Sequence, residues 1–292
     1  VPGELDASVV VPARDAGATL ADQLAALAAQ ETSAIWEVIV ADNGSTDDTV
    51  AVARRFGDRL PGLRVVDASH RRGVAAARNA GARSARGRLV CFCDADDVVA
   101  PDWLATVASA LGTHDAVSTP LRPFRSAPGD LGADDVPGWV TDPMPYLTGC
   151  SLGIRADVLA RVGGFDEDWD RGAAEDVELS LRLLRAGARL GSADGTVVHR
   201  RERPHVVASW RQHYRYGHEV PRIARAFPEL GVHRPVRRQA TDLVLASMRL
   251  VVRGWGDRRR VASHALVVGR LVGSVRYRPR PGPFAALTEV PS

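Results

Sequence analysis

The chain has 292 residues, 45% of them hydrophobic, which suits a soluble α/β domain with an appendage and allows a sizeable core. All 38 basic residues are arginine, so a P-loop, whose lysine holds phosphates, and a pyridoxal site, whose lysine forms the Schiff base, are excluded. Residues 1–195 carry 19 arginines and 29 acids, a net −10, whereas residues 196–292 carry 19 and 6, a net +13. That polarity separates an acidic part suited to a cation from a basic part suited to an anionic surface.

Cys91, Cys93 and Cys150 are too few and too irregularly spaced for a disulfide framework or a four-ligand zinc site, which leads us to expect a reducing compartment. No basic segment followed by an apolar run marks a signal peptide, so cytosol is the default expectation.

In chain order, apolar β-branched runs predict buried strands over residues 8–12, 37–41, 63–67 and 89–93. Between them, Leu20, Leu24 and Leu27, then Val50, Ala53 and Phe56, then Val74, Ala77 and Gly81 have helical spacing. Such alternation predicts right-handed crossovers and a mostly parallel, Rossmann-like sheet flanked by helices, with ligands at the carboxyl ends of its strands. A helix is expected from Pro101 to Leu111. Residues 119–145, rich in Pro, Gly and Asp, read either as a long loop bordering a binding site or as a disordered segment. From Val236 onward two amphipathic helices are expected, and the uncharged run between Arg260 and Arg270 is too short to span a membrane. The expected division is a larger domain over residues 1–200 and a basic, mainly helical extension over 201–292.

Four segments carry chemistry. The apolar strand Leu89–Cys93 runs into Asp94, Ala95, Asp96 and Asp97, three acids whose mutual repulsion a divalent cation would relieve. A solvated acidic loop is the plainer alternative. Strand 37–41 runs into Asp42-Asn43-Gly44-Ser45-Thr46-Asp47-Asp48, where Asp42 suits hydrogen bonds from a base or ribose and the rest suits a turn and a helix cap. The first strand closes on Pro12, Ala13, Arg14 and Asp15, with Pro12 expected to end the ladder for want of an N–H. Gly73 to Gly81 opens a helix with small residues that permit close approach or plain helix-to-sheet packing.

In this order and spacing the four segments resemble the nucleotide-binding half of the family-2 glycosyltransferases, which have the GT-A fold. The likeness continues through Thr148-Gly149-Cys150, Val162-Gly163-Gly164-Phe165-Asp166 and Ala174-Glu175-Asp176-Val177-Glu178-Leu179, covering roughly residues 8–201. Arg14 and Asp15 depart from the aromatic residue and Asn that usually end the family's first strand. The resemblance implies an inverting enzyme that uses a nucleotide-diphosphate sugar with Mg²⁺ or Mn²⁺. It implies that Pro12, Ala13, Arg14, Asp15, Asp42, Asn43 and Arg78 line the base and ribose. Asp94 would approach the ribose and the metal, Asp96 would coordinate the metal, and His199 would be a further ligand. Asp176 matches the family's base, with Glu175 and Glu178 expected to raise its pKa. The plainer alternative for those acids is a helix N-terminus complementing its dipole.

Rival expectations are a haloacid-dehalogenase-like phosphatase with Asp94 as nucleophile, a nucleotidyltransferase, and an inactive glycan-binding scaffold. The expected partners are the donor and a glycan, lipid-linked or small-molecule acceptor, with no specific nucleic acid. For the basic region the candidates are an anionic membrane surface, with peripheral placement at the inner face of the plasma membrane, a second copy of the chain, or packing on the catalytic domain.

Overall fold

A computed structural model describes residues 5–128, 146–169, 174–203, 205–228, 236–253 and 258–277. The chain divides into two compact units, residues 1–202 and 203–292.

The first unit is built on a sheet of strands β1 (Ala7–Ala13), β2 (Trp36–Asp42), β3 (Arg64–Asp67), β4 (Leu89–Cys93), β8 (Ser151–Arg155), β6 (Ala116–Ser118) and β9 (Leu190–Ser192), in the spatial order β3-β2-β1-β4-β8-β6-β9. Every pairing that excludes β8 is parallel, and β8 runs antiparallel between β4 and β6. A smaller sheet has the order β5 (Val98–Val99), β10 (Val198–Arg201), β7 (Leu121–Phe124).

Alternation of side chains divides the core into two layers, because successive residues of a strand point to opposite faces. Val9, Val11, Val38 and Val40 pack with Leu20, Leu24 and Leu27 of α1 (Leu20–Ala28) and with Trp103 and Leu104 of α4 (Trp103–Ala110). Val10, Ile39 and Phe92 pack instead with Ala75 of α3 (Val74–Ser84), Leu159 of α5 (Ala156–Arg161), and Leu179 and Leu183 of α6 (Glu175–Arg185). The remaining helix of this unit, α2 (Thr49–Arg54), contributes Val52 and Ala53 to the first layer.

Two local expectations are corrected. Pro12 does not end β1. Pairing with β4 stops at Val10, but β1 stays in register with β2 as far as Ala13, whose carbonyl accepts the Asn43 N–H at 2.8 Å. The stretch from residue 119 is not all loop, since Leu121–Phe124 form β7 parallel to β10. Pro123 is tolerated because β7 is an edge strand, and an edge has a side without a ladder. Residues 129–145 of that stretch lie outside the described residues.

The second unit contains α7 (Val206–Ala226), α8 (Val236–Arg253) and α9 (Arg258–Arg276). Helices α7 and α9 pack closely: a Cβ at Gly217 or Gly269 would lie 2.1 Å from the carbonyl oxygen of Leu266 or Tyr214. Helix α8 runs antiparallel to α9, with Gln239 donating to Ser274 Oγ at 3.0 Å and Ser247 Oγ 3.3 Å from His264 Nε2.

Candidate active site

β1 and β2 are register partners up to Ala13 and Asp42, so the loops after them emerge side by side. These loops are stitched together. The Asp15 N–H donates to Ser45 Oγ at 3.0 Å, Ala16 N–H to Thr49 Oγ1 at 2.8 Å, and Gly17 N–H to Asp47 at 2.8 Å. Thr46 donates to Asp15 Oδ1 from its N–H at 2.8 Å and its hydroxyl at 3.1 Å. Those bonds hold the Asp15 carboxyl below the usual carboxylate range. Asp15 has φ 46°, the one positive value at a non-glycine among the described residues, in a region that aspartate adopts more readily than most residues.

Arg14, Asp15 and Asp42 therefore share one rim, with Arg14 and Asp15 exposed and Asp42 half-buried, while Pro12 and Ala13, also expected there, are buried at the end of β1, Ala13 within the core. Asn43 is held beneath it. Its amide donates to the carbonyls of Ala68 at 2.6 Å and Arg71 at 2.8 Å, and its side-chain oxygen accepts the Gly73 N–H at 2.7 Å. Asn43 thus fixes the β3–α3 connection under the rim, with its side-chain donors directed at backbone atoms.

The acidic loop after β4 is held from both sides. Gln23 on α1 donates to the Asp94 carbonyl at 3.2 Å and accepts the Val99 N–H at 3.1 Å. From β10, Arg201 donates its N–H to Asp97 Oδ1 at 2.9 Å and its Nε to the Asp96 carbonyl at 3.0 Å. Gln23 is a polar residue on the buried face of α1, and that misfit is the signal through which sequence alone points to it.

Arg78 is not on the rim. It is buried, where it donates to Asp94 Oδ1 and to Glu175 Oε1, each at 2.9 Å, and lies 5.4 Å from the centre of the Phe165 ring. Burial disfavours its charge, but Asp94, Glu175 and Asp176 together outweigh that and hold it protonated. A Cβ at Gly149 would come within 2.6 Å of the guanidinium, so any larger residue at that position of the Thr148-Gly149-Cys150 turn would push Arg78 off its two carboxylates.

That turn reaches α6 as well: Gly149 donates its N–H to Asp176 Oδ2 at 3.0 Å, while Val177 donates to Asp176 Oδ1 at 2.8 Å. Each Asp176 oxygen keeps an accepting lone pair beyond its backbone bond. Of the two neighbours expected to act on Asp176, Glu178 is engaged elsewhere. Arg182 clasps it with bonds of 2.7 and 2.8 Å while donating to the carbonyls of Val162 and Gly164. Glu175 itself has a raised pKa, chiefly from burial and then from Asp176, with Arg78 opposing.

Donor atoms of Asp94, Asp97 and Cys150 all lie within 4.8 Å of one another. Asp96 and His199, expected from sequence as ligands beside Asp94, are not members of that trio. Burial pushes the Asp97 carboxyl well up, and the charges of Asp96 and Asp94 push it further. His199 is the register partner of Val98, which follows the acidic loop, and its Nδ1 is buried with no hydrogen-bond partner. Burial, then Arg122, lowers its pKa, so the imidazole is neutral near neutral pH and offers a nitrogen lone pair. The Asp94 and Asp97 carboxylates are oxygen donors of the kind Mg²⁺ or Mn²⁺ takes, and His199, on the strand paired with the segment after them, would add a neutral nitrogen donor.

Strand order β3-β2-β1-β4 with acids at the carboxyl tips of β2 and β4 defines an α/β protein of the GT-A type, and the candidate site lies where the order of strands reverses. Residues 8–136 match the family model "Glycosyl transferase family 2", and residues 138–267 match "Glycosyl transferase family group 2". The chain belongs to the family-2 glycosyltransferases. The second match continues well past residue 201, where the sequence motifs end.

Among curated relatives, validoxylamine A glucosyltransferase of Streptomyces hygroscopicus subsp. jinggangensis is 32% identical over 218 residues, covering 62% of this chain and 51% of the relative. Pre-mycofactocin glycosyltransferase of Mycobacterium tuberculosis is 29% identical over 208 residues, covering 65% and 41%. This chain spans about half the length of the first curated relatives it matches. Among solved structures, the mannosyltransferase PcManGT of Pyrobaculum calidifontis, in complex with GDP-Man and Mn²⁺, shares the fold with a TM-score of 0.64 at 19% identity, over 95% of this chain and 88% of that one. S. aureus TarS 1–349 in complex with UDP-GlcNAc gives 0.54 at 18%, over 94% and 93%. The phosphatase alternative places its nucleophile after the first strand, whereas Asp94 follows β4.

Proposed function

We propose that the first unit transfers a glycosyl group from a nucleotide-diphosphate sugar to an acceptor hydroxyl, with inversion and with a divalent cation. The observation that carries this is the joining of two carboxylate-bearing elements through Arg78, which ties Asp94 at the tip of β4 to the first turn of α6, where Asp176 stands. Family membership supports it, as do the nucleotide-sugar complexes of PcManGT and TarS, which share its fold.

On this reading the base and ribose lie along Arg14, Asp15 and Asp42, where stitched loops fix the rim before any ligand arrives. Asp176 takes the proton of the acceptor hydroxyl as its oxygen attacks the anomeric carbon. The bond from that carbon to the diphosphate oxygen breaks, and the nucleoside diphosphate leaves with the electron pair. Asp94 and Asp96, with His199 as a nitrogen donor, would hold Mg²⁺ or Mn²⁺, which when bound neutralises charge developing on the diphosphate. Gln23 and Arg201 keep that loop from relaxing outward under its own repulsion. Glycan, lipid-linked and small-molecule acceptors all fit a hydroxyl nucleophile.

The test is nucleotide release from a panel of UDP-, GDP- and dTDP-sugars with Mn²⁺, with and without added acceptors. Release from one donor class, lost on chelation, is expected. No release and no Mn²⁺-dependent thermal shift with any donor would leave an inactive scaffold as the better account.

A further inference from the structure

We infer that the second unit docks on an anionic lipid surface through the outer face of α8, with neighbouring arginines meeting the headgroups. This stands apart from the chemistry proposed for the first unit and uses only residues 203–277.

Helix α8 buries Gln239, Ala246 and Leu250 and turns Val244, Leu245 and Met248 to solvent, at 57%, 47% and 58% exposure. Arg238, Thr241, Leu245 and Met248, all exposed, follow one another at intervals of three, four and three, which places them along one stripe of the helix. Val244, Leu245 and Met248 thus form an exposed apolar cluster with Arg238 and Thr241 continuing along the same side of the helix, and a clustered apolar surface next to a cation is the kind that marks an interaction site. On α9, Val272 and Val275 are exposed at 43% and 66% beside the exposed Arg276. Antiparallel packing, fixed by the Gln239–Ser274 and Ser247–His264 contacts, brings the α9 end bearing Arg276 alongside the α8 end bearing Arg238.

Charge selects the occupant. Among the described residues of this unit, Arg203, Arg211, Arg215, Arg225, Arg238, Arg259 and Arg276 are exposed, whereas Glu219 is buried and Asp242 half-buried, so no acid is exposed. Arginine beside exposed aliphatic side chains suits an interface that is anionic at its surface and hydrocarbon just beneath. A nucleic acid would use the arginines but not Val244, Leu245 and Met248, and a second copy would bring its own arginines against these. No described helix is long and apolar enough to cross a membrane, and docking through the side of α8 lays that helix in the plane of the surface.

The experiment is cosedimentation of the full chain with vesicles of phosphatidylcholine alone and of equal parts phosphatidylcholine and phosphatidylglycerol. Binding to the mixed vesicles only is expected, weakened by added salt. Val244→Ser with Leu245→Ser and Met248→Ser should weaken it about tenfold or more, since each aliphatic group removed no longer leaves water. Arg238→Gln with Arg276→Gln should weaken it and flatten its salt dependence. All five positions are exposed, and an unchanged melting temperature verifies that the variants fold. Three outcomes would overturn the inference: no binding to mixed vesicles at low salt; binding that the α8 triple variant leaves unchanged; or a dimer or a duplex-DNA complex that the triple variant abolishes while vesicle binding persists.

Discussion

Arg78 and Glu175, ninety-seven positions apart, form a buried ion pair with the guanidinium 2.9 Å from the carboxylate, and the other arm of the same guanidinium holds Asp94 at 2.9 Å. The pair joins helix α3 to the start of α6, and the second bond ties both to the acidic loop after β4. Two consecutive elements, α3 and β4, and the distant α6 are thereby fixed by one cation.

Removing that cation would strand two carboxylates. Arg78→Met is expected to lower unfolding stability by about 3 kcal/mol, the usual cost of breaking a buried pair from one side. Adding Glu175→Gln should restore part of the loss by removing one stranded charge. Urea denaturation of the single and double variants measures both effects. A single variant as stable as the parent would show that the bridge does not hold these elements together.

Asp97 provides a pH signature. Its folded pKa is raised by burial and then by Asp96 and Asp94, so the metal-free protein is stabilised below the ordinary carboxylate pKa of 3.8 and loses that contribution as pH rises through the folded value. Asp97→Asn keeps an oxygen able to accept the Arg201 N–H and removes the titration. Metal-free, the variant should be more stable than the parent near neutral pH, with the gap closing in acid. Melting temperatures across a pH series record this, and parallel curves would argue against a strained Asp97.

Asp176→Asn separates binding from transfer. Asparagine retains an oxygen for one of the two backbone bonds but takes up no proton, so glycosyl transfer should fall by about 10²- to 10⁴-fold. Donor affinity should stay within about threefold of the parent, because a base is needed only in the transition state. Titration calorimetry and nucleotide release, run together, read the two quantities. Equal loss of both would assign Asp176 to the fold through its Gly149 bond.

Metal dependence is expected to rest on Asp96 and His199. Asp96→Ala should abolish the Mn²⁺-dependent part of donor binding measured by calorimetry. His199→Ala should weaken Mn²⁺ binding while keeping the α/β circular dichroism spectrum, since its Nδ1 has no internal hydrogen bond to lose. Undiminished Mn²⁺-dependent donor binding by Asp96→Ala, or undiminished Mn²⁺ affinity in His199→Ala, would remove that residue from the metal site.

Much of the first unit is legible in sequence because the signal is local. Runs such as Val9-Val10-Val11 and Val38-Ile39-Val40 are buried on both faces of a parallel sheet, and their apolar continuity gives them away. The short strand β7 was hidden by Pro123, a breaker in sequence that an edge position tolerates. Asn43 and Arg78 illustrate the opposite limit. Each stands in a motif whose end faces the ligand side of the sheet, and nothing local tells whether a side chain points outward or back into the protein.

The sequence by itself determined the alternation of strands and helices, the acids at the tips of β2 and β4, and the split between an acidic and a basic part, because periodicity and charge are properties of short segments. Only tertiary structure decided what those groups do to one another. It placed Asn43 beneath the rim, joined Asp94 to Glu175 through Arg78, gathered Asp97 and Cys150 beside Asp94, and turned Val244, Leu245 and Met248 of α8 outward. Burial and ion pairing depend on distances between residues tens of positions apart, and those distances exist only once the sheet has assembled.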